Sequence, residues 1–364
     1  MIYRVQKGFE DFKCIAGDCP KSCCIGWQIM IDDESLESYK EVTGEFAQKL
    51  HDAIDFDEGC FRQDKTRCKM LNENGLCDLH SNLGEESLCM TCHLYPRHIE
   101  EFPDLREMSL TLSCPEVARL VLSTDYTFDF NEAEDDTDDE EEYEDFDLLL
   151  FDMLEYAREK MLALSKDSSV PFMEKLRLMA SYAYRLQTLY DEGKVLKMQE
   201  ISIEETSTTQ LSSLVSSESY APQSDASGID GNFDYCLKFL DFLSELEVLE
   251  DSWTAFVTES LTALKSNLTS RKEWESDSTL TTTVLHRFEN ILNSLMFTYF
   301  CGAVYDGQIY ARAMIAIQSV RALIMLSDKK TSSLTSTLYL YSREIEHSDP
   351  NINALISFFE SELS

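Results

Sequence analysis

Apolar residues recur with a helical period through most of the second half of the chain. Leu150, Met153, Leu154, Ala157, Met161 and Leu164 stand at i, i+3, i+4 and i+7 spacings, the pattern of a helix with one buried face. Phe172, Leu176, Met179, Ala183, Leu186 and Tyr190 repeat it, and Pro171 stands where a helix start tolerates proline. The pattern resumes at Phe233, Leu237, Leu240, Leu243 and Leu246, then over 284–305, 309–326 and 352–363. These segments predict an all-α bundle over residues 148–364. No repeat of fixed period interrupts it. No unbroken apolar run of membrane-spanning length is read, so no spanning helix and no membrane partner are expected.

Residues 1–122 follow a different pattern. Periodicity gives way to clustered cysteines, and the Asn74-Gly75 pair marks a tight turn between short flanks. A mainly α protein is therefore predicted: a small, metal-organised, cysteine-rich unit at 1–122 with short β-hairpins, then the bundle. Between them, 123–147 reads as an acidic linker. From Asp129 to Asp147, 13 of 19 residues are acidic and none is basic, so the stretch repels itself and has little to bury. Within the bundle, 201–231 has 12 Ser or Thr in 31 residues and reads as a loop.

The chain has 364 residues and is 43% hydrophobic, enough for a substantial core. Its 31 Lys and Arg stand against 68 Asp and Glu, a formal charge of -37. Nucleic-acid affinity rests on basic residues that displace counterions, so no nucleic-acid partner is expected. A lysine-presenting protein suits this field better. The start, MIYRVQKGFEDFKC, lacks the apolar core of a signal peptide, so a cytoplasmic location is expected.

A reducing location makes the 12 cysteines informative, because it disfavours structural disulfides. Ten of them lie between Cys14 and Cys114. Cys14, Cys19, Cys23 and Cys24 form a first cluster, with the adjacent pair pointing in different directions. Cys68 and Cys77 flank the predicted tight turn, which would bring them near each other. Cys89 and Cys92 are i, i+3 and share a face if helical. Cys114 precedes Pro115, which suits a helix start. Thiolates are soft ligands for zinc or for iron–sulfur clusters, and each such centre takes about four. Ten cysteines suffice for two centres, or for one with spares. Cys60 is open between ligand and spare thiol. Cys236 and Cys301, in apolar surroundings, read as core. His80 and His93 stand in or beside the clusters as ligands or hydrogen-bonding neighbours.

The order of these elements resembles a known family. FKC at Phe12–Cys14, CPKSCCIGWQIMID from Cys19, CKML from Cys68 and GLC ending at Cys77 come first. LGE from Leu83, LCMTCHLYPR from Leu88 and LSCPE from Leu112 follow. Together they are similar to the flagellin lysine-N-methylase (FliB) family, within the wider group of CxxCxxCC-type zinc- or iron-chelating proteins. The resemblance covers residues 1–122 and returns more faintly from Phe288, Glu289 and Asn290 to Phe300. The first cluster departs from the group's spacing, reading Cys14-x4-Cys19-x3-Cys23-Cys24. The resemblance implies N-methylation of flagellin lysines with S-adenosylmethionine as donor and a cysteine-held [4Fe-4S] cluster, zinc being the alternative. It points first to Cys19, Cys23, Cys24, Cys68, Cys77 and Cys92 as ligands, then to Cys14, Cys89 and Cys114.

The residues alone do not reach methyl transfer. None of the 12 glycines forms a GxG, so the usual dinucleotide-type glycine turn is absent. Lysine attacks only as the neutral amine, so a methylase must remove a proton or desolvate the group. Tyr95, beside Cys92, and Glu289, on an apolar helix, are the candidate bases; packing for Tyr95 and ion pairing for Glu289 are the plain alternatives. Arg97 either pairs with a local acid or grips the donor's carboxylate. Trp27 either shields the metal site or stacks on the donor's adenine. Two other classes compete: a non-catalytic zinc- or iron-organised interaction module, and an iron–sulfur redox protein.

Overall fold

A computed structural model describes residues 1–136, 143, 146–203, 229, 231–249, 251–266, 274, 282–327 and 331–363. The protein is mainly α. The predicted helices form where the apolar period places them: Leu148–Lys166, Phe172–Asp191, Phe233–Leu243, Thr282–Tyr299, Ile309–Leu326 and Asp349–Glu360. Pro171 is the N-cap of the second. Cys236 and Cys301 are buried in the core, as read from their surroundings.

Helix Ile309–Leu326 is central, packing against Phe172–Asp191, Thr282–Tyr299 and Asp349–Glu360. It is long and apolar enough to pass as a membrane span by length and composition alone. In this fold 89% of it is buried inside the bundle. A helix apolar all round suits a core position. Two further helices, Asp251–Ser266 and Thr331–Glu346, complete the bundle among the described residues.

The N-terminal region contains more sheet than its cysteines suggested. β1 (Ile2–Gln6), β6 (Arg97–Phe102), β7 (Leu105–Leu110) and β8 (Phe130–Glu134) form one sheet in the order β6-β7-β1-β8. β1 runs parallel to β7 and antiparallel to β8. The strands β2 (Ile54–Asp55) and β3 (Cys60–Phe61) pair separately, as do β4 (Gln63–Asp64) and β5 (Arg67–Cys68). The stretch read as a linker is corrected over its first half. Tyr126 and Phe128 are buried, and 130–134 is a strand. The apolar residues Phe128 and Phe130 outweigh the local charge by packing against Phe297. The densest acidic residues, 137–142, and most of the Ser/Thr-rich insert, 204–228, lie outside the described residues.

One core joins this sheet to the bundle. Phe9, Phe102, Leu110, Leu112, Val117 and Val121 cluster with the helical apolar residues. The join is also polar. Glu107 on β7, 3% exposed, pairs with Arg158 of the first bundle helix, also 3% exposed. Arg4 on β1 reaches the same carboxylate at 3.3 Å. A second, smaller core holds Ile29, Ile31, Tyr39, Leu50, Ile54, Phe61, Met70 and Leu79. Residues between β1 and β6 thus build a subsidiary unit seated on a larger domain.

Candidate metal centre

The cysteine side chains are placed by short, backbone-fixed elements. The Cys68 N–H donates to the Cys24 carbonyl at 2.8 Å, and Ile25 bridges Arg67. The first cysteine loop is therefore laid along β5. The predicted turn is present: Gly75 takes a left-handed φ of 74°, and Leu71 bridges Cys77. Cys89 is the N-cap of helix Met90–Leu94, with Cys92 one turn on. Asp32 ties these parts together by accepting from Ser35 N at 2.9 Å and from Met90 N at 2.8 Å. Cys114 is the N-cap of helix Pro115–Val121, with Pro115 in the first turn as its sequence suggested.

Thiol electrostatics follow this placement. Cys24 is pulled down to about 7, first by the hydrogen bond from the Cys23 thiol. Cys23 is driven up by the same contact, then by burial and by Cys14 and Cys114. Burial raises Cys68 to about 12, with Cys24 and Cys77 adding. Cys77 is raised by burial, with Cys24 adding. Cys89 is lowered by its hydrogen bond with Cys92, and Cys92 is raised by it. Burial raises Cys114 to about 11, with Cys19 and Cys14 adding. Nine of the ten N-terminal thiols therefore influence one another. Thiols that crowd and raise each other's pKa are those a soft cation would deprotonate and bind. Their chemistry fits a thiolate metal centre. As the side chains stand, no group of three or more His, Cys, Asp or Glu among the described residues could hold an ion.

Cys60 stands apart. It is buried on β3, where Gln28 Nε2 donates to its sulfur at 2.7 Å. His80 and His93 are exposed.

The helical domain meets the cysteine loop through residues that the sequence reading missed. Arg343, 1% exposed, lies over the Trp27 ring at 4.0 Å from its centroid. Its Nη2 donates to the carbonyls of Ile25 and Ser22. His347 stacks on Trp27 with centroids 4.3 Å apart and bonds the Ser113 hydroxyl at 2.7 Å. Tyr95 shares that hydroxyl at 3.2 Å. Glu346 accepts from the Tyr299 hydroxyl at 2.7 Å, and its other oxygen is buried without a partner. Burial lifts this carboxyl to about 7 and lowers His347 to about 4. These residues sit at the end of helix Thr331–Glu346, whose Ser/Thr-rich start hides the helical period. The charged run Arg343-Glu344-Ile345-Glu346-His347 was the available signal.

The four non-cysteine candidates separate. Tyr95 lies beside the thiols, but burial pushes its phenol well above 10, with Cys114 next in effect. Such a phenol stays protonated and fails as a base at neutral pH. Glu289 pairs with the buried Lys175 at 2.7 Å, in line with an ion-pairing role. Arg97 makes no ion pair among the described residues. It lies over Phe9 and Phe12 and donates to the Phe12 carbonyl at 3.4 Å. The Trp27 ring is covered by His347 and Arg343, which supports shielding over adenine stacking.

Residues 158–364 match the model of the FliB lysine N-methylase C-terminal domain, more than half of the chain. The lysine-N-methylase of Salmonella typhimurium strain LT2 is 28% identical over 121 residues, 31% of this chain and 30% of that protein. The lysine-N-methylase of Salmonella choleraesuis strain SC-B67 is 27% identical over 121 residues, with the same shares. The flagellar biosynthetic protein FliU of Salmonella muenchen is 29% identical over 121 residues, 31% of this chain and 72% of that protein. The match thus spans under a third of the length of the two methylases. No solved structure matches.

Proposed function

The chain belongs to the FliB lysine N-methylase family, and from that premise we propose that it is a protein-lysine N-methyltransferase acting on flagellin. The family match over 158–364 carries this reading, and the names of the Salmonella relatives support its substrate. S-adenosylmethionine is the proposed donor; no residue of this chain is assigned to it, because Arg97 and Trp27 are engaged in packing. The proposed iron–sulfur cluster would draw its ligands from Cys19, Cys23, Cys24, Cys68, Cys77 and Cys92; Cys24, Cys68, Cys77 and Cys92 share the smaller hydrophobic core, which supports that choice. Such a cluster would supply redox or Lewis-acid chemistry when bound. The chain's own contribution is electrostatic. An acidic surface, formal charge -37, attracts a lysine-bearing segment. A half-buried carboxyl such as Glu346, lifted to about 7, is chemically suited to take an ammonium proton.

The test uses the full chain, purified without oxygen and reconstituted with iron and sulfide. It is incubated with flagellin and methyl-labelled S-adenosylmethionine. Methyllysine in the flagellin by mass spectrometry is expected. Its absence with cluster loading verified overturns the reading and shifts weight to a metal-organised interaction module or a redox protein.

A further inference from the structure

Glu346, the last residue of helix Thr331–Glu346, meets the last residue of helix Thr282–Tyr299. The Tyr299 hydroxyl donates to its Oε2 at 2.7 Å. The His98 ring of β6 stands 6.1 Å from the Tyr299 ring, centroid to centroid, and its Nε2 lies 3.2 Å from Glu100 Oε2. Two helices and the sheet thus converge on one carboxyl. Glu100, His98, Tyr299 and Glu346 are all half-buried, so each keeps some access to solvent.

This carboxyl differs from Glu107 and Glu289, which are each neutralised by a buried basic side chain. Glu346 has no ion pair among the described residues, and its Oε1 is shielded without any hydrogen-bond partner. Such an oxygen is costly and calls for a cationic donor. The basic side chains close by are engaged elsewhere. His98 bonds Glu100, and Arg343, one turn back on the same helix, is turned to Trp27 and to the carbonyls of Ser22 and Ile25.

We infer that Glu346 receives the ammonium of the substrate's lysine, which enters past the edge of β6, with Tyr299 as the positioning residue that holds the carboxyl for it. The identity of the substrate rests on the lysine-methylase reading above. The four-carbon stem lies along the Tyr299 ring, and a small turn of the carboxyl about its last bond, a soft torsion, brings Oε1 to Nζ. One N–H bond of the ammonium then breaks, an O–H bond forms on Glu346, and the electron pair left on Nζ becomes nucleophilic. Burial narrows the proton gap by lifting Glu346 to about 7, against ~10.4 for lysine. The groups facing the carboxyl are Tyr299, His98 with Glu100 behind it, Tyr341, Ser342 and the Leu112 N–H. His347, next along the chain, faces Trp27 and Ser113 instead.

Calorimetric titration of the full chain with flagellin, native or lysine-acetylated, reads the site without any methyl transfer. The parent is expected to prefer native flagellin, and Glu346→Gln to cut that preference at least ~10-fold, because a charge-assisted bond is lost. The parent's preference should grow as pH rises through about 7, since only the carboxylate holds an ammonium. Tyr299→Phe removes a hydrogen bond that lowers this carboxyl, so the onset moves to higher pH, whereas a merely structural Tyr299 leaves it in place. Unchanged preference in Glu346→Gln, no preference in the parent, or an unmoved onset in Tyr299→Phe overturns the proposal. The two readings fail separately. Methylation of flagellin by Glu346→Gln at the parent's rate overturns the site and leaves the methylase reading. Binding as expected without methyllysine overturns the methylase reading and leaves the site.

Discussion

The Arg343 guanidinium lies 4.0 Å from the centroid of the Trp27 ring, and the two belong to opposite ends of the chain. One side chain of the family-matched domain therefore grips the cysteine loop by a ring face and two carbonyls. The cation is also held out of water, so its contacts are unscreened. This contact makes the N-terminal unit and the bundle mutually dependent.

Arg343→Ala is accordingly expected to destabilise the whole chain by about 2–4 kcal/mol, from lost charge-assisted hydrogen bonds and the ring contact. Arg343→Lys keeps the charge but not the planar fork, so it recovers less than half of the loss. Urea melts read both values. An alanine variant as stable as the parent sinks the idea that this residue joins the two parts.

Gly26 makes the close approach possible. Its φ is +108°, and a β-carbon there would stand 3.2 Å from Arg343 Nη2. Gly26→Ala is expected to cost about 1–3 kcal/mol through backbone strain and displacement of the guanidinium. Protease sensitivity within 14–30 should rise with it. Combining Gly26→Ala with Arg343→Ala should cost less than the sum, since both act on one contact. Strict additivity would separate them.

The sheet–bundle joint is a second point of dependence. Glu107 and Arg158 are both 3% exposed and paired. Replacing either one leaves the other's buried charge with only a more distant partner, Arg4 at 3.3 Å for Glu107 or Glu155 at 4.0 Å for Arg158, with an expected loss of roughly 3 kcal/mol. The double replacement Glu107→Leu with Arg158→Met should be milder than Arg158→Met alone. Denaturant melts of the three variants test this, and a double replacement worse than either single one contradicts it.

The bundle was legible because its helices bury one face and so repeat at 3.6 residues; Ile309–Leu326 appears with the bounds its sequence gives. The cysteine unit was legible as chemistry, through thiol clustering and the Asn74-Gly75 turn. The four-stranded sheet was not. Its partners β1, β7 and β8 are separated by about a hundred residues or adjoin an acidic run, and pairing at that range leaves no local pattern. Helix Thr331–Glu346 was missed because its buried positions include Thr337, Ser342, Arg343 and Glu344. Polar residues that find partners only in the fold defeat a reading by hydrophobic period. That helix supplies Arg343 and ends just before His347, so the junction went unseen while both of its sides were recognised.

Tyr95 illustrates a site residue that sequence adjacency overrates. Its phenol is held well above 10, chiefly by burial, and its hydroxyl meets Ser113 at 3.2 Å. It can position Ser113 and His347 but cannot accept a proton at neutral pH. Tyr95→Phe is therefore expected to lower methyl transfer by less than about 10-fold, well short of the loss from removing a general base. A drop of a hundredfold or more, with stability unchanged, would restore Tyr95 as the base.

Glu346 and His347 give the junction opposite responses to pH. Burial lowers His347 from 6.5 to about 4. Between those values the folded chain binds fewer protons than the unfolded one, so this group makes stability fall as pH falls from 6.5 towards 4. Burial raises Glu346 from 4.5 to about 7. Here the folded chain holds the extra proton, so its contribution is complete below 4.5 and is lost as pH rises through 7. Single replacements separate the two. Relative to the parent, His347→Gln should gain stability as pH falls across its window, by up to about 3 kcal/mol. Glu346→Gln should gain by a similar amount, up to about 3 kcal/mol, as pH rises across the other. Urea melts of the three proteins at half-unit steps resolve the slopes. A difference from the parent that stays flat with pH would mean that the replaced group does not titrate differently in the folded chain.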